Sequence, residues 1–146
     1  MMNGRMIGLD IGEARTGVAA SDELGMFAST LDTIQMSDPK ADALAVKKHV
    51  DDVQAVLIVA GLPLDQNGEV GPQAEKVLAF IDEIKAVTDV DVVTQDERFS
   101  TQAAHRTLMA SNMNAKKRKK VIDTVSAQQI LQLYMDRQSN IRKREG

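Results

Sequence analysis

Apolar and polar positions alternate along residues 5–11 (RMIGLDI), with Ile7, Leu9 and Ile11 on one side and Met6, Gly8 and Asp10 on the other. This two-residue period predicts a β-strand with one face in the core. Residues 16–22 predict a second short strand, and residues 26–34 (MFASTLDTI) a third after a turn at Glu23-Leu24-Gly25. The first three strands therefore read as an antiparallel meander. The period changes at Asp38-Pro39, which offers an N-cap and a proline at the first helical position. Ala43, Val46, Val50 and Val53 then recur at helical spacing. Residues 55–62 (AVLIVAGL) form a continuous apolar run, as expected of a central strand covered on both faces.

Beyond the polar loop PLDQNGEVG, a helix over about Pro72–Val87 places Val77, Phe80, Ile81, Ile84 and Val87 on one side. Residues 90–96 (VDVVTQD) predict a fifth strand. Ser100 is the expected N-cap of a helix reaching about Asn112, although no Glu or Gln completes a capping box. A last helix, about 121–138, follows the basic run KKRKK, with residues 139–146 as a flexible basic tail. The order is βββαβαβαα, an α/β fold. Strands reached through helical crossovers and added to a meander imply a mixed five-stranded sheet with helices on its faces. No repeat or low-complexity linker interrupts the chain, so residues 1–146 read as one domain.

Composition narrows this picture. The chain is 43% apolar but 3% aromatic, with no Trp, so its core must be aliphatic. The absence of Cys excludes disulfides and thiolate metal sites and suits a reducing compartment. No apolar run reaches the roughly 18 residues of a membrane span, and the first residues lack the long apolar stretch of a signal peptide. The expectation is a cytoplasmic domain with no membrane partner. Residues 1–97 carry 7 Lys/Arg against 18 Asp/Glu, whereas residues 98–146 carry 11 against 3. The balances of −11 and +8 give the net −3 and point to a basic face for an anionic partner, or to a basic C-terminal segment lying against an acidic body.

Three acids interrupt otherwise apolar patterns. Asp10 sits in the first strand, where loop punctuation, a phosphate cradle and a metal ligand are all open readings. Glu97 follows the fifth strand in QDERFST, at a strand-to-helix junction of the kind where open α/β sheets bind ligands. Asp123 falls between Ile130 and Tyr134 on a helical projection, near the middle of the stripe formed by Ile122, Ala127, Ile130, Leu131, Leu133 and Tyr134. The helix dipole accounts for an acid in a first turn but not for one aimed at the core. Three carboxylates held together repel unless a divalent cation neutralises them. The ligands are all oxygen, and neither His49 nor His105 adjoins the acids in sequence, so the expected metal is Mg²⁺ or Mn²⁺, as two ions. Two such ions about 4 Å apart activate water and stabilise the leaving oxygen of a phosphodiester.

LDIGEARTGVAASD, GLPLDQNGEVGP, DERFST and KKRKKVIDTVSAQQIL resemble, in order and spacing, the motifs of the YqgF/RuvX family. The resemblance covers about residues 6–137. It implies an RNase H-like fold and a metal-dependent endonuclease, described for that family as a Holliday junction resolvase or a pre-16S rRNA processing nuclease. It assigns Asp10, Glu97 and Asp123 as the catalytic and metal-binding acids. One departure is visible: Ser126-Ala127 stands where the family usually has two alanines. Lys116, Lys117, Arg118, Lys119 and Lys120, just ahead of Asp123, are the expected phosphate contacts, with Arg15, Arg98, Ser100 and Thr101 as further nucleic-acid-binding candidates. The bland reading of the basic run is a solvated charge cluster.

The expected partner is precursor rRNA or branched DNA, bound by a monomer or weak homodimer. The leading expectation is 5′-end processing of pre-16S rRNA, with junction resolution as the alternative. Two rivals differ in class. A phosphate-binding fragment of the actin, sugar-kinase and heat-shock ATPase type would account for LDIGEARTG but not for DER or Asp123. A non-catalytic ribosome-assembly factor on a nuclease scaffold would keep the fold without the reaction.

Overall fold

The computed structural model describes residues 4–96 and 115–145; for 115–123 and 140–145 the description is of the helical backbone. Five strands form one sheet: β1 (Arg5–Ile11), β2 (Arg15–Ser21), β3 (Ala28–Gln35), β4 (Ala55–Leu62) and β5 (Asp91–Asp96). The helices are α1 (Pro39–Val53), α2 (Pro72–Val87) and α3 (Ala115–Glu145). Spatial order is β3-β2-β1-β4-β5. The β1–β2 and β2–β3 pairs are antiparallel, and β1, β4 and β5 run parallel. The meander and the mixed sheet are thus as the periodicity predicts. The helix expected over 100–112 lies outside the described residues.

Local chemistry explains most boundaries. Asp38 accepts a hydrogen bond from the Ala41 N–H and Pro39 occupies the first turn of α1. α1 ends at Gln54, whose left-handed backbone (φ 54°) lets its N–H bond back to Asp51 and Val50 carbonyls. β3 starts at Ala28 rather than at Met26. The Asp22 carboxylate accepts the Met26 N–H, the Asp22 N–H donates to Phe27 O, and Gly25 adopts φ 69°, so residues 22–27 are spent on the turn.

Each sheet face has its own core. On one face Ile7, Leu9 and Val18 pack with Val46 and Val50 of α1 and Val77, Phe80 and Ile84 of α2. On the other, Ala19, Ala28, Leu57 and Val59 pack with Ala127, Ile130, Leu131 and Met135 of α3. The two parities read in RMIGLDI are these two faces.

α3 differs most from expectation. It begins at Ala115 and ends at Glu145, so Lys116–Lys120 lie inside the helix rather than ahead of it, and residues 139–145 continue it. Lys and Arg are good helix formers, and a helix needs no apolar stripe where it extends past its packing partner. Its 31 residues span about 46 Å at 1.5 Å per residue, and among the residues whose side chains are described the buried ones run from Ser126 to Met135.

Candidate functional site

β1, β4 and β5 are parallel, so their carboxyl ends share one edge of the sheet. Asp10 lies there, half-buried, paired with Gly17 of β2. Leu9 pairs with Ala60 of β4, whose next residue is Gly61. A glycine therefore follows Asp10's level on each neighbouring strand, and no cross-strand side chain crowds it. Neither Gly17 nor Gly61 stands out by its local sequence pattern. The pairing register gives them their role.

The turn after Asp10 is tight. The Gly12 N–H donates to Arg15 O at 2.9 Å, and a Cβ at residue 12 would stand 2.6 Å from that same oxygen. Arg15 opens β2 from this turn, half-buried and opposite Gln35. Glu13 is exposed and ion-paired with Lys76 of α2. The lysine's hydrogen bond, and next its charge, hold the Glu13 carboxyl below its ordinary value.

On the α3 face, Gly8 sits two residues before Asp10. A Cβ there would lie 2.7 Å from Leu131 Cβ and 2.8 Å from Ala127 O, so only glycine admits the helix this closely. Gln132 anchors α3 to the edge strand: its Oε1 accepts the Ala28 N–H at 2.9 Å and its Nε2 donates to Met26 O at 2.8 Å. Gln128 Nε2 donates to Ala28 O at 2.9 Å. Helix positions 132 and 128 thus meet β3 in ascending strand order, and β3 runs parallel to β1 across β2. α3 is antiparallel to β1, its N-terminal half extending toward the carboxyl edge.

β5 ends at Asp96, level with Leu62. Gln95 is buried, and among the described residues its Nε2 has no hydrogen-bond partner; the same holds for Ser126 Oγ of α3. Glu97, Arg98, Ser100 and Thr101 lie outside the described residues. Asp123 and Lys116–Lys120 are placed by the α3 backbone alone. Among the described residues, no three His, Asp or Glu side chains converge as a metal site, and no helix is long and apolar enough to cross a membrane.

A family model described as "RuvX: Holliday junction resolvase" matches residues 4–137. The chain belongs to this family. A relative from Clostridioides difficile (strain 630), named "Putative pre-16S rRNA nuclease", is 45% identical over 136 residues, covering 93% of this chain and 96% of its own. The fold is also that of the resolvases. Fowlpox virus resolvase, solved with Holliday junction DNA, superposes with a TM-score of 0.55 at 12% identity, over 90% of this chain and 97% of that one. Thermus thermophilus RuvC does so with a TM-score of 0.52 at 12% identity, over 90% and 96%. This RuvX family member therefore has an RNase H-like resolvase fold, as its motifs predict.

Proposed function

We propose that this chain is a divalent-metal-dependent endonuclease that hydrolyses phosphodiester bonds of structured nucleic acid, with 5′-end processing of pre-16S rRNA as its reaction. The observation that carries this reading is Asp10, set between two glycines at the carboxyl edge of the parallel strands, with α3 running antiparallel toward the same edge. From Gly8 to Asp10 the strand rises about 6.6 Å. Four residues back along α3 from Ala127, about 6 Å, is Asp123. Position 123 therefore falls level with Asp10. Gln95 shares the parity of Val93, which packs on the α3 side, and Glu97 follows β5 directly in sequence. Strand spacing puts the β1 and β5 backbones about 10 Å apart, a gap that two carboxylates reaching for an ion pair can share.

The oxygen-only donor set fits Mg²⁺ or Mn²⁺ and offers nothing to a softer metal. When bound, the ions supply a water activated near neutral pH and charge compensation at the phosphate. The protein's own residues do the rest. Asp10, Glu97 and Asp123 hold the ligand geometry, while the neighbouring glycines leave room for a phosphate beside Asp10. Lys116–Lys120 extend about 5–10 Å further along α3 than Asp123, past the sheet edge, where a nucleic-acid backbone approaches the acids. Arg15 and Arg98 flank the same edge in sequence, and Ser100 and Thr101 follow it.

The named relative at 45% identity favours precursor rRNA. The family's description favours Holliday junction DNA and makes junction resolution the second reading. Symmetric junction cleavage needs a dimer, whereas rRNA trimming suits a monomer in the cytoplasm. The deciding experiment incubates a pre-16S rRNA fragment and a four-way DNA junction with the protein and Mg²⁺ or Mn²⁺. Cleavage of the rRNA, lost on chelation and lowered by about 10³-fold or more in Asp10→Asn, is the expected result. Equal cleavage by wild type and Asp10→Asn overturns the assignment, and cleavage of the junction alone selects the second reading.

A further inference from the structure

A cavity of about 810 Å³ opens on the α1/α2 face of the sheet, opposite α3, with Asp10 and Gly12 at its rim. It lies within the size range of small-molecule sites. Its apolar lining comes from Met36, Pro39, Val77, Ala79 and Phe80. Its charges are lopsided: Glu13, Asp42 and Glu83 line it against Lys76 alone, and Lys76 is already paired with Glu13, while Asp10 borders it from the β1 parity that faces α3.

Asp42 is the informative member. It is 5% exposed, and its carboxylate is fixed by Ser37, whose N–H reaches Oδ1 at 3.2 Å and Oδ2 at 3.0 Å and whose hydroxyl donates to Oδ1 at 3.4 Å. Among the described residues Oδ2 accepts from that N–H alone, so acceptor capacity remains. Such a cavity repels a phosphate and accepts a flat, neutral group that carries N–H donors. A nucleobase has those properties. Its sugar would join it, around the sheet edge at Gly12, to the phosphate that the proposed site holds at Asp10.

The geometry points to this cavity as a pocket for one unstacked nucleobase of the substrate strand, an amino-bearing base (adenine, cytosine or guanine) rather than uracil. This rests on the nuclease reading for its link to the substrate, but not for the pocket itself. Uracil flanks its single ring N–H with two carbonyls, which face a carboxylate badly, whereas an exocyclic amine donates to it directly. Enzymes that extrude a base offset the lost stacking with apolar walls and hydrogen bonds of this kind.

The test is a ligand-observed NMR titration of the full chain with free adenosine, cytidine, guanosine, uridine and spermidine, repeated on Ala79→Trp. Ala79 is exposed on α2 and lines the cavity, so tryptophan fills the pocket without removing a core residue. Amino-bearing nucleosides should bind about tenfold tighter than uridine, and Ala79→Trp should weaken them by about tenfold. No nucleoside binding, or binding indifferent to Ala79→Trp, overturns the pocket. Spermidine bound in preference to nucleosides overturns it in favour of an organic cation. Cleavage assays run in parallel separate the two readings. Cleavage without nucleoside binding defeats the pocket alone, and nucleoside binding without cleavage defeats the nuclease alone.

Discussion

Gly8 and Asp10 share one parity of β1 and divide two tasks between them, close helix approach and display of a carboxylate. Because a Cβ at residue 8 would meet Leu131 Cβ and Ala127 O below 3 Å, and one contact is backbone, α3 must shift if it is added. Gly8→Ala should destabilise by about 1–3 kcal/mol, read as a lower denaturation midpoint at unchanged m-value. On the proposed nuclease reading it should also depress cleavage more than its stability loss explains, because α3 carries Asp123. A variant cutting at the wild-type rate would separate helix placement from catalysis. Glu13 offers a second residue-level test. Its carboxyl is held below its ordinary value by the Lys76 hydrogen bond and charge. A depressed carboxylate contributes stability above its unfolded pKa and loses it as pH falls through the folded one. Both partners are exposed, so solvent screening keeps that contribution small. Lys76→Met should return the Glu13 titration toward the ordinary glutamate value in an NMR pH series, and added salt should move the wild type the same way. An unmoved titration would deny the pair.

At the level of elements, Ser126 makes α3 informative. It is fully buried, and among the described residues its hydroxyl has no partner. A buried hydroxyl without a partner costs about 1–3 kcal/mol, so Ser126→Ala should stabilise by about 1 kcal/mol and raise Tm by about 2–4 °C. A lower Tm would mean the hydroxyl holds a partner that matters to the fold. α3 also shows where sequence patterns inform and where they stop. α1 and α2 were legible to within a residue because Asp38-Pro39 and Pro72 mark their starts and apolar spacing continues to their ends. α3 was read six residues short at its start because Lys116–Lys120 are all charged and write no apolar stripe. β3 was read two residues early because Met26 and Phe27 look like strand residues yet are exposed in a turn closed by Asp22 and Gly25. Asp10 stood out as an acid within a strand, but the glycines beside it and the cavity at its rim needed the register of three strands. No local pattern encodes a neighbour that arrives from a crossover.

Across the whole molecule, the charge asymmetry acquires a direction. The acidic body is the sheet with α1 and α2, and the basic residues 116–120 ride on a helix that overshoots the sheet at the edge bearing Asp10. A solvated charge run and a nucleic-acid contact predict different salt behaviour. Each phosphate neutralised by Lys or Arg releases counterions, so the logarithm of affinity falls with the logarithm of salt by roughly 0.7–0.9 per contact. Replacing Lys116, Lys117, Arg118, Lys119 and Lys120 by glutamine keeps good helix formers in place and removes five positive charges. If three of the five meet phosphates, the slope should flatten by about 2–3, with binding to a pre-16S rRNA fragment weakened most at low salt. Fluorescence anisotropy over a salt series, in the absence of divalent metal, reads this without cleavage. An unchanged slope with helicity preserved by circular dichroism would return the run to a solvated face and move the phosphate contacts to Arg15 and Arg98. A flattened slope together with unchanged affinity of Asp10→Asn would separate backbone binding along α3 from the chemistry proposed at the end of β1.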